Sequence, residues 1–118
     1  MVTRKELEEY RSRAEEMRAM RARMRAAKLK ADESDREADR ARWREAEAMY
    51  DAIADEQEDA LIRLGAEIAM LPNADHRRAI MYRYIDGLSR EAAARKMHVS
   101  SSMLDKYVRA GIEELEKE

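Results

Sequence analysis

Residues that interrupt helices are almost absent from this chain, and this constrains its fold more than any other feature of the sequence. Among 118 residues there are three glycines and one proline, while charged side chains make up 42%. Alanine, glutamate, arginine and methionine, all good helix formers, together supply more than half of the residues. No segment alternates apolar and polar residues over the length of a strand. The sequence therefore predicts an all-α fold.

What the chain lacks excludes several classes of protein. It has no cysteine, so disulfide frameworks, thiolate zinc sites and cysteine nucleophiles are ruled out. Its two histidines have no ligand-spaced companions, and no arrangement of serine, histidine and acid suggests a catalytic triad. No apolar run is long enough to cross a bilayer, and no signal-peptide pattern opens the chain. We expect a cytoplasmic protein that is not an enzyme, contacts no membrane and needs neither metal nor cofactor.

Large aliphatic residues and charges are both unevenly distributed. Of the 17 Ile, Leu and Val residues, 14 lie between residues 53 and 115, so the N-terminal half cannot build a core alone. Residues 1–44 carry a net charge of +4, residues 45–75 carry −8, and residues 76–110 carry +5. A basic block at residues 18–30 contains no acid. We expect this block to be solvated, to track phosphates, or to pair with the acidic segment.

Heptad spacing predicts long helices over residues 1–71. The first helix places apolar residues at a/d positions, with Arg21 interrupting the pattern: Leu7, Tyr10, Ala14, Met17 and Met24. A polar cluster at residues 32–35 reads as a chain reversal, or as a surface stretch of one continuous helix, and we prefer the reversal. The second helix is predicted from Asp35 to Leu71. A helical hairpin or a coiled coil results, and these helices are expected to mediate a homodimer or a larger oligomer.

Shorter helices are predicted in the remaining segment, residues 72–118. Pro72 and Asn73 end the second long helix, a third helix spans residues 74–85, and Gly87 provides a left-handed cap. Ser89 caps a short helix that ends at Met97, and Ser100 caps a final helix. The last helix has one apolar face: Leu104, Val108, Ile112 and Leu115. Two helices separated by a turn at residues 98 and 99 satisfy the pattern of a helix-turn-helix.

The final helix has the features of a DNA recognition helix. Its N-terminal half carries polar side chains away from the apolar face, and four of them are candidates for contacts with bases: Ser101, Ser102, Asp105 and Lys106. Six basic residues of the same segment are candidates for contacts with phosphates: Arg77, Arg78, Arg90, Arg95, Lys96 and Arg109. The sequence therefore predicts binding to double-stranded DNA.

The same segment resembles region 4 of bacterial sigma factors over about residues 68–116. The resemblance is carried by these stretches: Leu71-Pro72 through Arg83-Tyr84, Asp86-Gly87-Leu88-Ser89, Ala93-Ala94 and Val99-Ser100. With its long charged N-terminal helices, the whole chain is similar to the RinA and ArpU-like phage regulators. This resemblance implies a phage or prophage transcriptional regulator that acts in the cytoplasm of a bacterial host. The sequence departs from the sigma pattern at Ala93, His98 and Asp105.

Two other functions are compatible with the same pattern. The sigma-like unit of a protein-interaction module would bind RNA polymerase or another protein, without using the DNA face. A phage packaging protein of the small-terminase kind also combines a helix-turn-helix with a coiled coil, a similarity at the level of the fold alone.

Overall fold

The computed structural model of the chain describes residues 1–117, and these residues form helices without any strand. The helices are α1 (Arg4–Glu33), α2 (Glu37–Ala69), α3 (Ala74–Ile80), α4 (Arg90–Met97) and α5 (Ser101–Glu116), with a π-helical turn at Met81–Ile85 directly after α3. The predicted all-α fold with an N-terminal hairpin is confirmed. Helix α2 is shorter than its predicted span by two residues at each end.

Contacts divide the chain into two compact units. The first unit combines Met1–Arg11 with the chain from Ala60 onward, and the second unit is Ser12–Asp59. The division differs from the predicted boundary after residue 71, because α1 and α2 each contribute to both units. The first unit therefore contains both ends of the sequence.

The main core of the first unit is built by residues from both ends of the chain. Val2 and Leu7 are completely buried, together with Ile80 of α3. The same cluster includes further residues of α2, the segment after it, the π-helical turn and α5: Leu64, Ile68, Leu71, Tyr84, Ile112 and Leu115. Each fully buried side chain of this kind contributes about 2 kcal/mol of transfer free energy. The aliphatic residues near the N-terminus are thus buried by the C-terminal helices.

Polar contacts hold the beginning of α1 in the first unit. Thr3 Oγ1 accepts a hydrogen bond from the backbone N–H of Glu6 at 3.3 Å, which is one half of a capping box. The Glu6 carboxylate forms an ion pair with Arg63 of α2. The guanidinium of Arg11 lies 4.7 Å from the centroid of the Tyr84 ring, within the range of a cation–π contact. Both long helices are therefore joined to this unit by specific contacts as well as by the core.

The second unit is a helical hairpin whose reversal is stabilised by Ser34. Its Oγ accepts a hydrogen bond from the backbone N–H of Arg36 at 3.1 Å and donates one to the Asp39 carboxylate at 2.7 Å. Asp39 is buried, with 4% of its surface exposed. The Ser34 hydroxyl is the main cause of the lowered pKa of Asp39, with smaller contributions from nearby cations. The polar cluster at residues 32–35 therefore reverses the chain, as predicted.

Contacts between charged and aromatic side chains align the two helices of this hairpin. They are Arg13 Nη1 to Glu56 Oε2 at 2.7 Å, Arg21 Nη2 to the Tyr50 hydroxyl at 2.7 Å, and Lys28 Nζ to the Trp43 ring centroid at 5.8 Å. Within residues 1–117, the one ion pair made by the basic block at 18–30 joins Lys30 to Asp39 at 4.0 Å. Of the alternatives for this block, pairing with acids of residues 45–75 is not found among these residues: Arg21 and Lys28 instead face the rings of Tyr50 and Trp43 across the hairpin.

The third predicted helix, residues 74–85, changes its hydrogen-bonding pattern in its second half. The Asn73 side chain caps α3 by accepting from the backbone N–H groups of Asp75 and His76. Beyond Ile80 the chain forms a π-helical turn, in which the Asp86 N–H donates to the Met81 carbonyl at 2.9 Å. Gly87 then has a φ of 68°, the left-handed conformation expected from the sequence.

Two glycines of the first unit have opposite surroundings. A Cβ atom at Gly111 of α5 would lie 2.5 Å from Ile80 Cδ1 and 3.3 Å from His76 Cβ, so this glycine permits close packing of α5 on α3. A Cβ atom at Gly65 of α2 would meet no atom within 4 Å. One glycine is required by packing, whereas the other only weakens its helix.

Alanine substitutions at these positions should therefore have opposite effects. Gly111→Ala should lower the free energy of unfolding by about 1 kcal/mol, because overpacking against buried Ile80 exceeds the gain in helix propensity. Gly65→Ala should raise it by about 0.5–1 kcal/mol. Urea denaturation followed by circular dichroism measures both. A Gly111→Ala variant as stable as the Gly65→Ala variant would contradict the close packing of α5 on α3.

Candidate nucleic-acid interface

Helices α4 and α5 form a helix-turn-helix, and Ser89 caps the N-terminus of the first helix. The backbone of Ser89 is extended, and its Oγ accepts a hydrogen bond from the Ala92 N–H at 3.1 Å. Glu91 lies in the first turn of α4, where a negative charge interacts favourably with the helix dipole. The predicted cap and helix are both present.

The turn between the two helices is a Schellman motif centred on His98. His98 has φ 56° and ψ 42°, and its N–H donates to the Arg95 carbonyl at 3.1 Å. The Val99 N–H donates to the Ala94 carbonyl at 3.1 Å, and the Val99 side chain packs against the cluster that contains Ala94. Such a turn usually has glycine at the position of His98. Because histidine has a Cβ atom, its left-handed conformation is sterically strained.

Small side chains allow α3, α4 and α5 to approach each other closely. Ala79, Ala93 and Leu104 have no exposed surface, and Ala94 and Met97 are almost as deeply buried. These five residues form a second apolar cluster. Ala93, which departs from the sigma pattern, is thus an inner residue of the motif. It is completely buried in a cluster to which α3, α4 and α5 all contribute.

Helix α5 is capped by Ser100 and presents a polar face that extends from Ser102 to Arg109. The Ser100 Oγ accepts from the Met103 N–H at 3.1 Å. Ser102, Lys106 and Arg109 are exposed at spacings of four and three residues, and Ser101 is half-buried. The exposed residues therefore share one helical face, opposite the side chains that enter the two cores.

Asp105 and Arg90, which the sequence assigned to different contacts, bind each other. Arg90 Nε lies 3.0 Å and 2.9 Å from the two carboxylate oxygens of Asp105, and Arg90 Nη2 lies 2.8 Å from Oδ2. The hydrogen bond from Arg90 is the main reason that the pKa of Asp105 lies below its ordinary value. The charges of Arg83 and Arg109 lower it further, against the opposing effect of partial burial.

The remaining basic candidates occupy different surroundings. Arg77 is half-buried and donates to the Leu71 carbonyl at the end of α2. Arg78 and Arg95 are both exposed. Lys96 is exposed and lies 5.8 Å from the centroid of the Tyr82 ring. Arg77 thus has a structural contact of its own, while Arg95 and Lys96 are accessible from solvent.

Arg83 is a charged residue of this surface that was not among the predicted site residues. Its Nη1 donates to the Leu88 carbonyl at 2.6 Å, which holds the segment just before α4, and its charge acts on Asp105. Its position in the basic segment 76–110 was the one sequence feature that could have placed Arg83 among the candidate site residues. The contact with Leu88 follows only from the turn at Gly87, which brings residues five apart together.

No protein-family model, no curated protein and no solved structure matches the chain. Within residues 1–117, no helix combines the length and apolar character needed to span a membrane. No group of three or more potential metal ligands occurs in that part of the chain either. The helix-turn-helix and the charges around it are therefore the features that bear on function.

Replacing His98 by glycine tests the geometry of the turn. His98→Gly should leave the free energy of unfolding unchanged or raise it by up to about 1 kcal/mol, because glycine adopts a positive φ without steric cost. His98→Val, with a branched Cβ, should lower it by about 1–2 kcal/mol. Thermal and urea denaturation of both variants measure the difference. If His98→Gly clearly destabilised the protein, the left-handed turn would be contradicted.

Proposed function

We propose that the protein is a sequence-specific regulator of transcription that binds double-stranded DNA through α4 and α5. The proposal is carried by one observation: α5 exposes Ser102 and Lys106 in its N-terminal half and Arg109 just beyond it, along one face. Leu104 anchors the helix in the second cluster. A recognition helix presents its N-terminal half to base edges in the major groove in the same way.

Exposed basic side chains of α4 and α5 supply the non-specific part of the proposed interaction. Arg95, Lys96 and Arg109 are solvent-exposed, and each phosphate neutralised by such a side chain releases condensed counterions. The sequence resemblance to phage regulators supports a phage or prophage origin and activity in the cytoplasm of a bacterial host. Dimerisation through the N-terminal helices is part of the same proposal, since two half-sites on DNA require two recognition helices.

Binding to RNA polymerase is a second candidate function, favoured by a groove in the first unit. The groove has a volume of about 330 Å³ and is lined by Gly65, Ile68, Ala69, Arg77, Arg78, Met81 and Tyr82. Met70, which follows the lining residue Ala69 in the chain, is 77% exposed. An apolar groove with two arginines suits a partner helix that carries both apolar and acidic side chains.

Selection from a random duplex library, followed by a salt titration, tests the first proposal. The purified protein should enrich a defined sequence, and its affinity for that duplex should fall linearly with salt on a log–log plot. A shuffled duplex should bind more weakly at every salt concentration. If nothing is enriched, and purified bacterial RNA polymerase binds instead, the second candidate function is supported and the first is overturned.

Arg109 provides a specific prediction about phosphate contact. Arg109→Ala should weaken binding to the selected and the shuffled duplex by similar factors and reduce the salt slope by about one, because one phosphate contact is lost. Lys117→Ala is the matched control, since Lys117 is an exposed cation beyond the end of α5, and its slope should equal that of the wild type. An unchanged slope for Arg109→Ala would exclude Arg109 from the interface.

A further inference from the structure

The ion pair between Arg90 and Asp105 connects the two helices of the helix-turn-helix. Arg90 is the first residue of α4, and Asp105 lies in the second turn of α5. Three donor–acceptor distances of 2.8–3.0 Å join the guanidinium to the carboxylate. Such a two-point contact fixes the orientation of an arginine, whereas a single ion pair leaves it free to rotate.

Stability alone gives little reason for this pair. The side chains of Arg90 and Asp105 are 45% and 41% exposed, and ion pairs at that level of exposure contribute little to folding. The carboxylate also lies on the face of α5 that carries Lys106 and Arg109, where it would repel a phosphate. We therefore looked for a role of the ion pair that depends on the position of the Arg90 guanidinium.

The guanidinium of Arg90 retains free donors while it is bound to Asp105. Arginine has five N–H donors, and the contacts with Asp105 use the edge formed by Nε and Nη2. Both hydrogens of Nη1 are left for another acceptor. Arg83, through its hydrogen bond to the Leu88 carbonyl, holds the segment that precedes α4. The backbone of Arg90 is thus fixed by the start of α4, and its guanidinium is fixed by Asp105.

We propose that Asp105 is a positioning residue, which holds Arg90 so that its free edge faces a DNA phosphate, and that Asp105 reads no base itself. This inference rests on the proposed DNA-binding function and replaces the prediction that Asp105 contacts a base. The phosphate contact of a fixed arginine sets the register of α5 in the groove. Discrimination between sequences then depends on Asp105 through Arg90.

The two roles of Asp105 differ in their dependence on Arg90. A positioning residue loses its effect on binding when Arg90 is absent, because there is nothing left to position. A residue that accepts a hydrogen bond from cytosine keeps its effect in the absence of Arg90, and its loss relaxes specificity at a single base pair. A double-mutant cycle with Arg90→Ala and Asp105→Asn separates these roles.

The cycle is measured on the full chain with the selected duplex and with a shuffled duplex. Asp105→Asn should weaken binding to the selected duplex about fivefold to tenfold. Binding to the shuffled duplex should not weaken, since removal of a negative charge favours every phosphate. In the Arg90→Ala background, Asp105→Asn should cause no further loss with the selected duplex. Glu113→Gln, which removes an exposed carboxylate elsewhere on α5, is the control and should leave the ratio of the two affinities unchanged.

Thermal denaturation distinguishes positioning from a purely structural role. The melting temperatures of Arg90→Ala and Asp105→Asn should fall by less than about 4 °C, because the pair is half-exposed. A larger decrease that accompanies the loss of affinity would mean that the pair acts through stability, and would overturn the proposal.

Other outcomes identify which claim has failed. If the wild type discriminates between the duplexes and Asp105→Asn does so equally well, the positioning role is wrong while DNA binding stands. If Asp105→Asn has the same effect with and without Arg90, Asp105 contacts a base. If the wild type binds both duplexes equally or neither, the proposed function fails, and the positioning role fails with it.

Discussion

Burial of Val2 and Leu7 among the C-terminal helices is the interaction on which the first unit depends. Both side chains are completely enclosed by a cluster that includes Ile68, Ile80 and Ile112. The N-terminal half has too few aliphatic residues for a core of its own. The start of α1 is stabilised by contact with the C-terminal half, which contains most of the aliphatic residues. The helix-turn-helix is consequently not independent of the N-terminus. A fragment beginning at Pro72 would expose the apolar faces of α3 and α5 that this cluster covers.

Local features of the fold followed from the sequence because their causes are local. A capping side chain acts on backbone groups within three residues, and Ser89 and Ser100 occupy the predicted caps. The chain reversal at residues 32–35 and the left-handed Gly87 were found for the same reason. His98 lies in the predicted turn at residues 98 and 99, and its φ is 56°. Short-range hydrogen bonds have recognisable residue preferences.

Features that depend on tertiary contacts could not be predicted. The spacing of apolar residues indicates which face of α1 is buried but not which helices bury it, so the contribution of Val2 to the C-terminal core was missed. The π-helical turn has no characteristic composition, and the third helix was predicted as uniform. Arg90 and Asp105 lie 15 residues apart, and their contact follows only from the packing of α4 on α5. The candidate site residues were thus assigned one by one, without the pairing that links them.

If the proposed function is correct, α4 and the part of α5 up to Arg109 form a surface for DNA. Amide chemical shifts of the ¹⁵N-labelled protein, followed during titration with the selected duplex, test this directly. We expect the largest chemical-shift changes between Ser89 and Arg109, with little change in the hairpin at residues 12–59. Shifts concentrated in that hairpin, or no shifts with any duplex, would contradict it.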